Sequence, residues 1–151
     1  MNSKKTLSIG SDHGGFALKE HLVKSLSDAG YTVLDKGPAD TASVDYPDYA
    51  KAVCGDVNAG KADFGVLVCT SGIGMSIAAN KIRGIRAALC LSEDAGKFSR
   101  LHNNANVLCL GAKYLTPELA DSIAKTFLST DFESGRHERR VNKFMAFEDE
   151  A

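Results

Sequence analysis

The chain has 151 residues, of which 44% are hydrophobic, and a formal net charge of -1. That size allows one globular domain with a full core, and the near-zero charge excludes a protein that binds nucleic acid by bulk electrostatics. No apolar segment approaches the roughly 20 residues that cross a bilayer. The stretch Thr6-Leu7-Ser8-Ile9 behind the basic start Met1-Asn2-Ser3-Lys4-Lys5 is too short for a signal-peptide core, so a cytoplasmic protein is expected.

Strand-like and helix-like segments alternate. Thr6 to Gly10 reads as a first strand. Phe16 to Ala29 reads as a helix, with Phe16, Leu18, Leu22, Val23 and Leu26 at near-helical spacing and Gly30 as its stop. Tyr31 to Leu34 is a second strand, and Gly37 to Pro47 a loop rich in Gly, Pro, Asp, Thr and Ser. Asp48 to Ala59 reads as helix, Phe64 to Val68 as strand, Ile73 to Ile82 as helix and Arg86 to Leu91 as strand. Glu93 to His102 follows as helix and Asn106 to Leu110 as the fifth strand. Thr116, with Pro117 at the first helical position, opens a helix to about Leu128, and a last helix covers Arg136 to Glu148. The expected fold is α/β: a single domain over 1–151, a doubly wound, Rossmann-like three-layer sandwich with a five-stranded parallel sheet and helices on both faces.

In such folds ligands sit beyond the carboxyl ends of the strands. The segment Gly65-Val66-Leu67-Val68-Cys69-Thr70-Ser71-Gly72-Ile73-Gly74-Met75 puts a thiol at the end of a strand and beside a helix N-terminus. Unpaired N–H groups and the helix dipole favour a thiolate, an oxyanion or a phosphate there. The glycine pair is neither a dinucleotide fingerprint nor a Walker loop. Asp12-His13-Gly14-Gly15 is a second strand-to-helix turn. Asp12 can cap the helix, whereas His13 is not needed for capping and can hold a phosphate or pass a proton. Ser92-Glu93-Asp94 follows the fourth strand. His102-Asn103-Asn104 comes before the fifth strand, so only the path of that loop could bring it to the same edge; otherwise it is a helix C-cap. Cys54, Cys90 and Cys109 read as small buried hydrophobes, with no spacing that suits zinc or a redox pair. The basic group Arg136, Arg139, Arg140 and Lys143 reads as a solvated helix face when taken alone.

Together Asp12-His13-Gly14-Gly15, Asp45-Tyr46-Pro47, Cys69 to Gly74, Ala78-Ala79-Asn80-Lys81, Gly84-Ile85-Arg86-Ala87, His102 to Leu108 and Gly135-Arg136-His137 resemble the type B ribose-5-phosphate isomerases. That family also holds galactose-6-phosphate isomerase subunits and allose 6-phosphate isomerases. The resemblance runs almost end to end. It implies an aldose–ketose isomerase, free of cofactor and metal, that moves a proton between C2 and C1 of a phosphorylated sugar through an enediolate. Cys69 matches the base, while the glutamate used by another branch falls at Met75, which cannot accept a proton. Ser71 matches a hydroxyl that assists proton movement, and the N–H groups of Ser71, Gly72, Ile73 and Gly74 with Asn103 would hold the oxyanion. His102 matches the ring-opening residue, Asp12 would hold sugar hydroxyls, and Tyr46 would line the site. His13, Arg136 and Arg140 match the phosphate group, the arginines coming from a last helix that reaches the neighbouring subunit of a homodimer or of a tetramer built from two dimers. Two residues depart from the pattern. Thr70 stands where glycine is expected, and Lys113 where many members carry a phosphate-binding arginine. A six-carbon sugar phosphate (allose 6-phosphate or galactose 6-phosphate) or a free sugar is therefore the alternative substrate. A non-catalytic sugar-phosphate-binding subunit is the alternative from another class.

Overall fold

The structure, a computed structural model, describes residues 4–150, so the first three residues of the basic start lie outside the described residues. Five strands form one parallel sheet in the order β2-β1-β3-β5-β4: β1 (Thr6–Ser11), β2 (Thr32–Asp35), β3 (Phe64–Cys69), β4 (Ala87–Leu89) and β5 (Val107–Gly111). The crossovers are α1 (Phe16–Asp28), α2 (Tyr46–Asn58), α3 (Ile73–Asn80) and α4 (Glu93–Asn103), followed by α5 (Pro117–Ser129), α6 (Arg136–Met145) and a 3₁₀ turn at Ala146–Asp149. No helix among the described residues is long and apolar enough to cross a membrane.

The period-2 alternation of buried strands sorts the core into two layers. Leu7 and Ile9, Val66 and Val68, and Leu108 and Leu110 pack with Leu22 and Leu26 of α1 and Ile123 and Phe127 of α5. Leu67, Cys69, Val107 and Cys109 point the other way, against Val53 and Cys54 of α2 and Met75 and Ala79 of α3. Odd–even parity along β3 thus assigns Cys69 to the α2/α3 side.

Several boundaries differ from the sequence reading. α2 starts at Tyr46, not Asp48, because Pro47 suits the first helical turn, where its missing N–H has no partner to lose. β4 shrinks to Ala87–Leu89 because it is an edge strand with one neighbour, its ladder ending in the Cys90 N–H to Cys109 O bond ahead of the Ser92 cap. The last helix becomes 3₁₀ after Met145. Thr116 caps α5 as expected, its Oγ1 accepting the Leu119 N–H at 3.1 Å.

One buried cation holds the end of α4. Arg100, 7% exposed, lies over the Phe64 ring with its Cζ 4.7 Å from the centroid. It donates to Ala105 O at 2.7 Å, Asn104 Oδ1 at 2.9 Å and Thr130 O at 3.1 Å. Burial lowers its pKa, with Arg86 adding to the effect and Asp131 opposing it. Arg100→Met would leave those carbonyls without a donor, and a loss of about 2–4 kcal/mol is expected in urea unfolding.

Candidate functional site

β1 and β3 are neighbours whose onward crossovers leave on opposite faces, so their carboxyl ends flank the topological switch point of the sheet. The two turns that follow them touch. A Cβ on Gly14 would fall 2.2 Å from Thr70 Oγ1 and 3.4 Å from Asp12 Oδ1. One on Gly74 would fall 2.7 Å from the Tyr46 ring. Glycine at these positions lets Asp12, Thr70 and Tyr46 close around the end of β3. Asp12 does not occupy the N-cap of α1, which is Gly15; instead its Oδ1 accepts the Gly15 N–H at 2.9 Å from three residues upstream.

Cys69 is the last residue of β3 and only 5% exposed, yet its sulfur is not lost in the apolar layer: Sγ accepts the Gly72 N–H at 3.1 Å. Gly72, at φ 77°, is the left-handed N-cap of α3, a conformation that glycine adopts without strain. The Ser71 hydroxyl accepts the Ile73 N–H at 3.2 Å. Two of the four N–H donors expected for an oxyanion, those of Gly72 and Ile73, therefore have acceptors within the turn, and the Ser71 and Gly74 N–H groups are the ones left without one among the described residues. The β5 end is tied in by the Ala112 N–H to Cys69 O bond and the Lys113 N–H to Thr70 O bond, both 2.9 Å, which sets exposed Lys113 next to Thr70. His13 is exposed and its Nδ1 accepts the Val44 N–H at 3.2 Å, leaving Nε2 as the ring nitrogen free to donate.

Burial pushes Cys54 up to about 12, raises Cys90 against a hydrogen bond from Ser99, and raises Cys109 well above the ordinary range. All four cysteines are free.

His102, Asn103, Arg136 and Arg140 lie at the opposite edge. His102 and Asn103 end α4, ahead of β5, and β5 runs parallel to β3 with Val107 beside Gly65 and Gly111 beside Cys69. Those four steps, at about 3.3 Å each, separate the two levels by about 13 Å. α6 is fixed at this amino edge too. His137 stacks on His102, and the 3₁₀ turn is bonded to residues just before β4, through Arg83 to Asp149 Oδ1 at 2.6 Å and the Gly84 N–H to Glu148 Oε1 at 2.9 Å. One chain thus assembles Asp12, His13, Tyr46, Cys69 to Gly74 and Lys113 in one place and His102, Asn103, Arg136 and Arg140 in another. Two larger surface grooves, about 520 Å³ beside His21 and Lys125 and about 580 Å³ along the outer face of α6, include no residue of the Cys69 turn.

A family model described as Ribose/Galactose Isomerase matches residues 7–144. The chain belongs to the ribose/galactose isomerase family. Ribose-5-phosphate isomerase B of Escherichia coli K12 is 42% identical over 144 residues, which are 95% of this chain and 97% of that protein. A crystal structure of ribose 5-phosphate isomerase from Thermotoga maritima superposes with a TM-score of 0.91 at 52% identity, over 92% of this chain and 96% of that one. The ribose-5-phosphate isomerase B of Mycoplasma genitalium, crystallised with bound ribulose-5-phosphate, gives 0.91 at 40% identity over 97% of both chains.

Within this isomerase family fold, three residues that contact the predicted site residues were given no role by sequence reasoning. Val44 is found only through its backbone N–H, which no residue type signals. Glu133 and His137 flank His102, and their approach depends on how the connection between α5 and α6 folds back over α4, where the Glu133 N–H donates to Leu101 O at 3.0 Å.

Proposed function

We propose that this chain interconverts ribose 5-phosphate and ribulose 5-phosphate, with Cys69 carrying the proton between C2 and C1. One observation carries the reading: in a ribose/galactose isomerase, the sulfur that ends β3 at the switch point takes an N–H from the N-cap of α3. A thiolate gains most from such a donor at a helix N-terminus. The names of the relatives, and the ribulose-5-phosphate bound to the Mycoplasma protein, support the substrate.

The thiolate takes the C2 proton of the open-chain aldose, and the electron pair moves through C1–C2 onto the carbonyl oxygen. The Ser71 hydroxyl relays the proton of the C2 hydroxyl to O1, and the thiol returns its proton to C1, leaving the C2 ketone. The open Gly74 N–H holds the oxyanion, Asp12 holds sugar hydroxyls, Tyr46 lines the cleft and Thr70 borders its mouth. His13 and Lys113 take the phosphate. Lys113→Met is expected to raise KM for ribose 5-phosphate by roughly tenfold with kcat within about twofold, read from initial rates.

The remaining groups come from a second copy. α3 runs from the carboxyl edge at Ile73 to the amino edge at Asn80, and its neighbourhood exposes Ile73 (48%), Ile77 (57%), Leu89 (36%) and Leu91 (53%). Covering that apolar face with an antiparallel α3 about a two-fold axis swaps the edges. It brings the partner's His102, Asn103, Arg136 and Arg140 over Cys69. His102 opens the furanose ring, protonating the ring oxygen as the C1–O bond breaks and regaining the proton from the anomeric hydroxyl. Asn103 adds an oxyanion donor, and the two arginines complete the phosphate site. The single domain spans 1–151 and works in the cytoplasm, where free thiols persist.

The test is direct conversion of ribose 5-phosphate by the purified protein, with allose 6-phosphate and galactose 6-phosphate in parallel. Highest kcat/KM on the five-carbon substrate is expected; a six-carbon preference moves the assignment to that branch, and no turnover on any of them rejects the enzyme reading.

A further inference from the structure

The amino edge holds more machinery than the reaction above uses. The rings of His102 and His137 stack face to face, with centroids 4.1 Å apart and planes 10° from parallel. Phe98 covers His102 on a tilted contact of 4.8 Å. Glu133 addresses both imidazoles: Oε2 lies 3.8 Å from His102 Nε2, and Oε1 lies 3.9 Å from His137 Nε2. His137 is 6% exposed and its Nε2 has no hydrogen-bond partner among the described residues. These donor atoms lie within 4.8 Å of one another. Parallel stacked rings nevertheless send their in-plane lone pairs along separate planes, so they do not converge on a common ion. What the arrangement suits is a carboxylate whose charge fixes which nitrogen of a neighbouring imidazole carries the proton.

We propose that Glu133 and His137 are positioning residues for His102. The Glu133 carboxylate, 3.8 Å from His102 Nε2, favours the ring proton on that nitrogen by its charge, and the His137 ring clamps the His102 plane against Phe98, leaving Nδ1 as the atom that exchanges a proton with the sugar ring. The inference rests on His102 acting in ring opening. Two face-to-face imidazoles cannot both be cationic without strong repulsion. Burial lowers the proton affinity of His137, the charge of His102 lowers it further, Glu133 opposes, and Arg136 and Arg140 lower it again. A neutral His137 leaves the carboxylate to His102 and fixes which ring nitrogen faces outward. Stacking also keeps the imidazole from rotating off the geometry in which a protein-bound acid is effective.

Ribulose 5-phosphate cannot close a furanose ring, because its 5-oxygen carries the phosphate. Isomerisation in that direction starts from an open chain, whereas ribose 5-phosphate starts mainly from rings. Glu133→Gln and His137→Phe therefore separate ring opening from proton transfer. Glu133 is surface-accessible and phenylalanine keeps the packing at position 137, so both variants should fold. In each, kcat/KM from ribose 5-phosphate is expected to fall roughly tenfold, while the isotope effect on it from substrate deuterated at C2 stays at or falls below the wild-type value, because ring opening rather than C2 proton removal then limits the rate. His137→Asn should also move the Cε1–H resonance of His102 in the full-length protein, because a stacked ring has been removed. An unmoved resonance, or a C2 isotope effect that rises above the wild-type value, overturns the proposal. If His102→Asn slows the forward reaction while both neighbours' variants leave it at the wild-type rate, the positioning role falls and the ring-opening role stands. If His102→Asn itself leaves kcat/KM unchanged or raises the C2 isotope effect, it is the ring-opening role that fails.

Discussion

Cys69→Ala is expected to lower kcat for ribose 5-phosphate by about 10²–10⁴, the usual contribution of a positioned base, while KM stays within about threefold. KM is spared because the phosphate and hydroxyl contacts belong to other residues, namely His13, Lys113 and Asp12. Cys69→Ser is the sharper version. It preserves volume in a buried site but offers an alcohol, which ionises far less readily than a thiol and so supplies almost none of the anionic base, and its loss should approach that of alanine. The three other cysteines supply the control. Cys54, Cys90 and Cys109 are buried, and burial raises the pKa of each. Their replacement by alanine should change thermal stability more than turnover. A Cys69→Ala protein that keeps wild-type kcat would remove the base from the mechanism.

The second large effect is a complementation between two impaired proteins, read from ribose 5-phosphate. Cys69→Ala leaves a chain with a defective carboxyl edge, and His102→Asn one with a defective amino edge. If each site takes one edge from each copy, a mixed dimer contains one site with both defects and one with none. Random reassortment makes half of the dimers mixed, and half of the sites in those are intact, so about a quarter of wild-type activity should return on mixing after dissociation. A site confined to one chain would return none. The prediction follows from the separation of about 13 Å along the strands between the level of Cys69 and that of Val107. It also follows from the anchoring of α6 at the amino edge by Arg83, Gly84 and His102.

Periodicity carried much of this architecture. Val66-Leu67-Val68 had to be a doubly buried strand, since nothing polar interrupts it, and the helical stop at Gly30 is visible as a residue at φ 99°. Pro47 misled the reading of α2, because proline marks a loop and a helix's first turn equally well. The edge position of β4 was also out of reach: its shortening to three residues reflects having one neighbour, which is a property of the sheet. At the site, Cys69, Ser71 and Gly72 were legible because a turn into a helix constrains nearby residues to nearby places. The pairing of Ile73 N–H with Ser71 Oγ, and of Gly72 N–H with sulfur, was not, since the expected oxyanion donors looked equivalent until their acceptors were known.

Local chemistry by itself determined that this protein alternates strand and helix, that a thiol sits at a strand end beside a helix N-terminus, and that the chain carries the motifs of a sugar-phosphate isomerase. Those features depend on residues within one or two turns of each other. Tertiary structure alone decided that Cys69 and His102 stand at opposite edges of the sheet, and that Glu133 and His137 gather around His102. The reason is topological. A parallel sheet fixes which end of every strand faces which edge, and residues remote in sequence meet only where the crossovers bring them.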